Sequence, residues 1–287
     1  MKDSIKIGGV PEHFNLPVHQ AINRGEFEAK GLEVEWTTFK GGTGQMTKAL
    51  RNDEVDACIL LTEGVIADII NGNPSKIISL YVNTSLIWGV HTGADNSLNN
   101  YQDIFSTQYA ISRFGSGSHL MAIVDANSKD KHITKKQFNV IKNLEGAIES
   151  LTSQETDVFY WEKFTTKPYV DNGTLRRIGE YHTPWPCFVV AATQKAIDEK
   201  PEQLTRMLRT IHDSCDRFMI HADVSMQEVA TQFEQKPKDV ERWFHSTEWA
   251  THGWVSDKMT NAVVYSLKTA GIIKDDLNIP ELIWKRT

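Results

Sequence analysis

Short runs of apolar residues, each followed by an amphipathic stretch, recur from the start of the chain. Ile5 and Ile7 lie in a strand-like run that breaks at Gly8 and Gly9, and an amphipathic stretch begins near Pro17 and stops at Arg24 and Gly25. Val34, Trp36 and Phe39 follow up to the turn Gly41, Gly42, Thr43, after which Met46, Ala49 and Leu50 recur at helical spacing. Val55 to Leu61 is a continuous apolar run, as a strand covered on both faces requires; Gly64 to Ile70 reads as its helix and Ile77 to Val82 as a fourth strand. A similar series begins after Asn83. It predicts strands at Leu86 to Val90, Tyr109 to Ser112, Phe138 to Ile141, Asp157 to Phe159, Leu175 to Ile178 and, past the breaker TPWP, Cys187 to Ala192. Helices are predicted around Tyr101 to Phe105, from Gly115 to Ser118 onward, and over Leu144 to Leu151. From Pro201 the character turns helical: Leu204, Met207, Leu208, Ile211, Cys215, Phe218 and Met219 keep one face apolar, and Met226 to Phe233, Lys238 to His245 and Asp257 to Ala270 read as further helices.

Strands alternating with helices of this length imply crossovers, hence an α/β fold of mostly parallel sheets with helices on both faces. No solenoid-period repeat and no flexible linker is present, so short connections near Thr84 to Trp88 and Thr183 to Cys187 are the expected passages between two lobes. The 287 residues suffice for one or two real cores, and 40% apolar with 24% charged residues is the balance of a globular protein. A formal charge of −6 removes the bulk basic field that gathers nucleic acid or anionic lipid, so neither is an expected partner. Cys58, Cys187 and Cys215 form no CxxC pair and suggest neither a disulfide framework nor a thiolate zinc site. No run reaches the roughly 20 apolar residues of a membrane span, and MKDSIKIGGV shows no signal-peptide pattern. The chain as written therefore reads as cytoplasmic, or as periplasmic if it is a processed form.

The ordered segments KIGGV, INRGEFEAKGLEVEW, FKGG, ALRNDEVDACI, GSGSH, FYWEKF, GTLRRIG and KPEQLTRMLR resemble the type II periplasmic binding proteins. The likeness lies in the branch of sulfonate and nitrate binders and thiamine-pyrimidine precursor proteins, and covers Ile5 to about Ile272. The resemblance implies two α/β lobes, residues 1–86 with 187–287 and residues 87–186, a ligand cleft between them, a hinge, and a monomer without cofactor or metal. The last helices are expected to return to the first lobe. An ABC permease is the implied partner if the chain is exported.

Ligands of open α/β sheets sit beyond the carboxyl ends of strands, and those loops hold the candidate residues. After the first strand these are His13, Phe14 and Asn15, facing a ligand or serving the loop's own packing. Gly41, Gly42 and Thr43 precede a helix, where backbone N–H groups can receive an anion or Thr43 can act as a cap. Thr62 and Glu63 follow the third strand; Glu63 can accept from a ligand amine or cap the next helix. In the second lobe RFGSGSH offers Arg113, Gly115, Ser116, Gly117, Ser118 and His119 as an anion cradle, with a serine N-cap as the alternative. It matches neither GxxxxGK[ST] nor GxGxxG, so it is no nucleotide loop. Trp88, Trp161, Glu162, His182 and Trp185 are candidate cleft-lining residues, or core in each case. Trp243, Trp249 and Trp254 read as packing anchors.

No HExxH, GxSxG or kinase set occurs. The thiamine-pyrimidine synthases of the resembled group carry a Cys-rich run near the second crossover and a His after the third strand. Here those places read PWPCFVV and TEGV, so only Cys187 remains of the first, and Gly64 or a neighbour stands at the second. The expected function is non-catalytic binding of a small organic anion (a sulfonate, carboxylate or pyrimidine- or phosphate-like group) with hinge closure. A precursor-synthesis enzyme and a sensory ligand-binding module are the alternatives.

Overall fold

The computed structural model of the chain describes residues 3–274, 276 and 278–285. In chain order it holds β1 (Asp3–Gly9), α1 (Leu16–Asn23), α2 (Glu26–Ala29), β2 (Leu32–Thr38), α3 (Thr43–Arg51), β3 (Ala57–Leu61), α4 (Thr62–Ile70) and β4 (Ser75–Val82). There follow β5 (Ile87–Gly93), β6 (Tyr109–Ile111), α5 (Gly117–Ser128), β7 (Phe138–Val140), α6 (Leu144–Thr152), β8 (Val158–Glu162), α7 (Lys167–Asp171) and β9 (Leu175–His182). The chain continues through β10 (Phe188–Thr193), α8 (Gln194–Glu199), α9 (Pro201–Ile220), α10 (Ala222–Gln232), α11 (Pro237–His245) and α12 (Asp257–Thr269). The predicted helix around Tyr101 to Phe105 is a 3-10 turn, Tyr101–Ser106.

The chain divides into two compact units. Unit 1 comprises Met1–Thr84, Trp185–Val263 and Asp276–Thr287; unit 2 comprises Ser85–Pro184 and Val264–Asp275. The segment from Val264, assigned to the first lobe on sequence, groups with the second unit, and the division falls within α12.

The sheet of unit 1 runs β2-β1-β3-β10-β4. β1 pairs in parallel with β2 and β3, whereas β10 runs antiparallel between β3 and β4. All residues of β3 and β10 are buried, which is why both read as continuous apolar runs rather than alternating ones. The apolar face of α9, with Leu204, Met207, Leu208, Ile211, Cys215 and Phe218 buried, packs against α1. Each such side chain contributes about 1.5 to 3 kcal/mol by leaving water. An aromatic cluster joins the loop before α1 to the helical tail: Phe14 lies against Phe188 and Trp243, and Trp249 against Phe218, Trp243 and Phe244. Trp243 and Trp249 are buried as expected of anchors; Trp254 is 68% exposed and is not one.

The sheet of unit 2 runs β7-β6-β8-β5-β9. β6 is parallel to β7 and β8, and β5 runs antiparallel between β8 and β9. One face is closed by Ala147 and Leu151 of α6, which pack with Ala110, Phe159 and Leu175. In each sheet four strands run the same way and one runs against them, so both are mostly parallel as expected. The strand that first follows each passage between units enters its sheet against the grain.

Candidate functional site

In unit 1 the strand-end loops are held by internal bonds. Asn15 donates through Nδ2 to the Val10 carbonyl at 2.8 Å, and the Phe14 carbonyl accepts from Tyr81 Oη at 2.7 Å and Trp249 Nε1 at 2.9 Å. His13 is buried beside Phe14, Phe233 and Trp243, and loss of water pushes its pKa down to about 3, so its ring is neutral at pH 7. These three predicted residues are core members of the loop. After β2, Gly41 N–H donates to Gln45 Oε1 at 2.8 Å, and Gly42 takes a φ of 67°, the left-handed conformation that suits glycine, immediately before α3. Thr43 does not cap α3 with its hydroxyl; its Oγ1 accepts from Leu61 N–H at 3.3 Å, tying the start of α3 to the end of β3. Thr62 donates to the Pro186 carbonyl at 2.6 Å, and Glu63 Oε2 accepts from Trp185 Nε1 at 2.9 Å. Glu63 is fully buried, and burial raises its pKa to about 7 against the lowering effect of the Trp185 bond. Thr43, Thr62, Glu63 and Trp185 therefore form one corner at the carboxyl end of β3.

In unit 2 the turn between β6 and α5 is a hydroxyl cluster. Ser118 Oγ accepts from Ser112 N–H at 3.0 Å and lies 3.0 Å from Ser116 Oγ. Ser116 stands at the N-cap position of α5, yet its hydroxyl donates to the Arg113 carbonyl at 2.7 Å and caps no helix N–H. The first-turn amides of α5, Gly117 and Ser118 among them, have no intrahelical acceptor, and the helix dipole favours an anion there. Gly115 has φ 81° and donates its N–H to His119 Nδ1 at 3.1 Å. That bond needs an unprotonated Nδ1, and burial holds the His119 pKa down to about 4. Arg113 is half-buried, and its partial removal from water lowers its pKa.

The other predicted residues of unit 2 are dispersed. Trp88 is buried on β5, opposite Glu162 and Tyr181. Trp161 stacks on Phe159, ring centroids 5.1 Å apart, against the α6 core. The Glu162 carboxylate accepts from Phe164 N–H at 3.0 Å and from Thr165 N–H and Oγ1 at 2.6 and 2.8 Å, so it closes its own turn. Burial still raises its pKa. His182 is exposed at the end of β9.

Three residues escaped the sequence reading. Ser112 joins the hydroxyl cluster although it reads as a strand end, and Phe114, between Arg113 and Gly115, is 45% exposed with its ring edge-on to His119. Asp125, fully buried on α5, accepts from Tyr101 and Tyr160 and pairs with Lys129, whose ammonium also lies 5.1 and 5.3 Å from the ring centres of Tyr101 and Tyr181. Its signal was present: Asp125 follows Met121 by four positions on the apolar face of α5, where an acid demands partners.

Two α/β units, each a five-stranded sheet with one inserted antiparallel strand, define the two-lobed type II periplasmic-binding-protein fold. Residues 88–181, within unit 2, match the family model of Ca3427-like PBP. The Candida albicans CA3427 gene product, described as defining a new family with the generic periplasmic binding protein fold, is 26% identical with a TM-score of 0.92, covering 99% of this chain and 98% of its own. The alkanesulfonate-binding protein SsuA of Xanthomonas axonopodis pv. citri, bound to MOPS, is 11% identical with a TM-score of 0.79 and 98% of each chain covered. The periplasmic aliphatic sulphonate binding protein SsuA of Escherichia coli is 12% identical with a TM-score of 0.70, covering 100% of this chain and 94% of its own. These two share the fold. No curated protein sequence matches the chain. Among the described residues no helix is long and apolar enough to cross a membrane.

Proposed function

We propose that the chain is a non-catalytic solute-binding protein for a small organic anion, a sulfonate, carboxylate or phosphate-like group, and that the turn from Ser112 to His119 receives the charged end. The observation that carries this reading is the cluster of the Ser112, Ser116 and Ser118 hydroxyls at the start of α5, in a turn that also contains the half-buried Arg113. The exposed Phe114 ring offers an apolar surface for the ligand body. Within unit 1, Gly42 and Thr43 occupy the equivalent strand-to-helix position at the start of α3. The solute-binding proteins that share the fold support the class. A shift of population toward the conformation that binds the ligand better completes the mechanism. An ABC permease is the proposed partner of an exported, periplasmic form.

Native mass spectrometry of the freshly purified protein, followed by a thermal-shift panel of alkanesulfonates, pyrimidine precursors, pyridoxal phosphate and aromatic carboxylates, tests this. A ligand at a hundred times its Kd stabilises the folded form by about 2.7 kcal/mol, a readily measured upward shift. For the anion so found, Arg113→Ala is expected to weaken binding at least tenfold with Tm close to wild type. Unchanged affinity overturns the assignment of the turn, stabilisation by pyridoxal phosphate alone turns the reading to an enzyme, and silence across the panel overturns it.

A further inference from the structure

We propose that His119 is the positioning residue of the anion-binding turn: the lone pair of its ring nitrogen, rather than its charge or bulk, holds Gly115 in the conformation the turn needs. The inference rests on the binding reading above and assigns a role within that same site. His119 is the third residue of α5, and Gly115 lies two places before the helix. Gly115 has φ 81° and donates its N–H to His119 Nδ1 at 3.1 Å. A trans peptide aims its carbonyl opposite to its N–H, so this one bond also fixes the direction of the Phe114 carbonyl. The imidazole is itself seated edge-on to Phe114 and Phe138, with ring centroids 5.2 and 4.7 Å away.

Unit 1 holds the same device built from different chemistry. Gln45 is the third residue of α3, and its Oε1 accepts at 2.8 Å from the N–H of Gly41, two places before that helix. An amide oxygen and an imidazole nitrogen have one thing in common at this position, a lone pair within reach of the glycine N–H. In neither unit does the N-cap residue bond the helix through its side chain, and the Ser116 hydroxyl is spent on the Arg113 carbonyl. The third helical residue is therefore the one that ties the glycine to the helix start. On His119 the lone pair is available because burial keeps the ring neutral at pH 7, with its proton on Nε2. Loss of the acceptor frees the peptide between Phe114 and Gly115 to rotate, and a ligand must then order it at a cost in affinity.

The test is isothermal titration of the full chain and three variants with ethanesulfonate, propanoate and inorganic phosphate as probes. His119→Gln keeps an acceptor of the kind Gln45 supplies and loses the ring, His119→Phe keeps a ring and loses the acceptor, and His119→Ala loses both. For each probe that binds the wild type, His119→Gln is expected to bind within about threefold of it, and the other two variants about tenfold or more weakly. The imidazole ¹⁵N spectrum of the wild type at pH 7 is expected to show His119 as the Nε2–H tautomer. Wild-type affinity in His119→Phe, or a His119 proton on Nδ1, overturns the inference and leaves the anion reading standing. Equal losses in His119→Gln and His119→Phe also overturn it, because the imidazole is then needed for more than its lone pair. His119→Ala against His119→Gln makes the same comparison should His119→Phe not fold. No binding by any of the three probes overturns both readings.

Discussion

In unit 1 an antiparallel β10 lies fourth in β2-β1-β3-β10-β4, and in unit 2 an antiparallel β5 lies fourth in β7-β6-β8-β5-β9. The backbone plan is shared, yet the strand ends are finished differently. Unit 1 ends in a buried corner where the Glu63 carboxyl meets an indole, and in a loop whose His13 and Phe14 are sunk among aromatic rings. Unit 2 ends in a turn of three hydroxyls and a cation, and stores its carboxylate deeper, as Asp125 between two phenols and an ammonium. Sheet order places the loops, while a handful of strand-end residues sets their chemistry. In unit 1 the buried acid is short of a partner; in unit 2 it has three.

Replacing the well-partnered acid should have the largest effect on unit 2. Asp125→Ala strands Tyr101, Tyr160 and Lys129 without their shared acceptor, and removal of one member of a buried charge pair costs about 3 to 5 kcal/mol. Urea unfolding of the variant is expected to show an early transition assigned to unit 2 by loss of hydrogen-exchange protection in β6 and β8; a single transition at the wild-type midpoint would contradict it.

Acidification separates two opposed effects inside unit 1. The Glu63 pKa rises from 4.5 unfolded to about 7 folded, so its stabilising contribution is complete below pH 4.5 and is lost as pH climbs to about 7. The His13 pKa falls from 6.5 to about 3, so its contribution is complete above pH 6.5 and is lost as pH falls toward 3. Each amounts to about 3 kcal/mol between pH 7 and pH 4.5, with opposite sign. Glu63→Gln removes the compensation. Its unfolding free energy is expected to drop by about 3 kcal/mol more than that of the wild type over this range, as measured by urea denaturation at the two pH values. In unit 2, His91 is likewise held down to about 3 by burial, with Arg177 adding to the effect, and contributes in the same direction as His13. The smallest effect should be equal in both units. Gly42→Ala and Gly115→Ala each place a Cβ at positive φ in open space, so each is expected to cost about 1 kcal/mol in Tm-derived stability. A large asymmetry would show that one turn is under tension and the other is not.

Local pattern carried most of the element assignments. The apolar run of Val55 to Leu61 and the stripe from Leu204 to Phe218 were legible because burial on both faces, or on one helical face, imposes a period that a single segment displays. The antiparallel direction of β5 and β10 was not legible, since alternating strands and helices imply parallel pairing and direction depends on where the chain re-enters a sheet. The turn from Arg113 to His119 stood out by composition. His13, Trp161 and Glu162 stood out equally, although each is engaged in packing or turn closure, because residue type does not reveal which neighbours a loop folds against. Asp125 on the apolar face of α5 signals a need for partners but not which ones, because its three partners come from distant stretches or the next helical turn.

The place of β10 between β3 and β4 also governs how the molecule is made. Phe188 pairs with both Leu61 and Val82, so during synthesis the inner edges of β3 and β4 wait for a strand that leaves the ribosome only after all of β5 to β9. Unit 2 can assemble its sheet from one uninterrupted stretch in the meantime, whereas unit 1 carries two unpaired apolar edges until it is closed. The interval before β10 emerges is thus the one in which the nascent chain most needs protection from self-association, and slow translation through residues 85–184 would lengthen it.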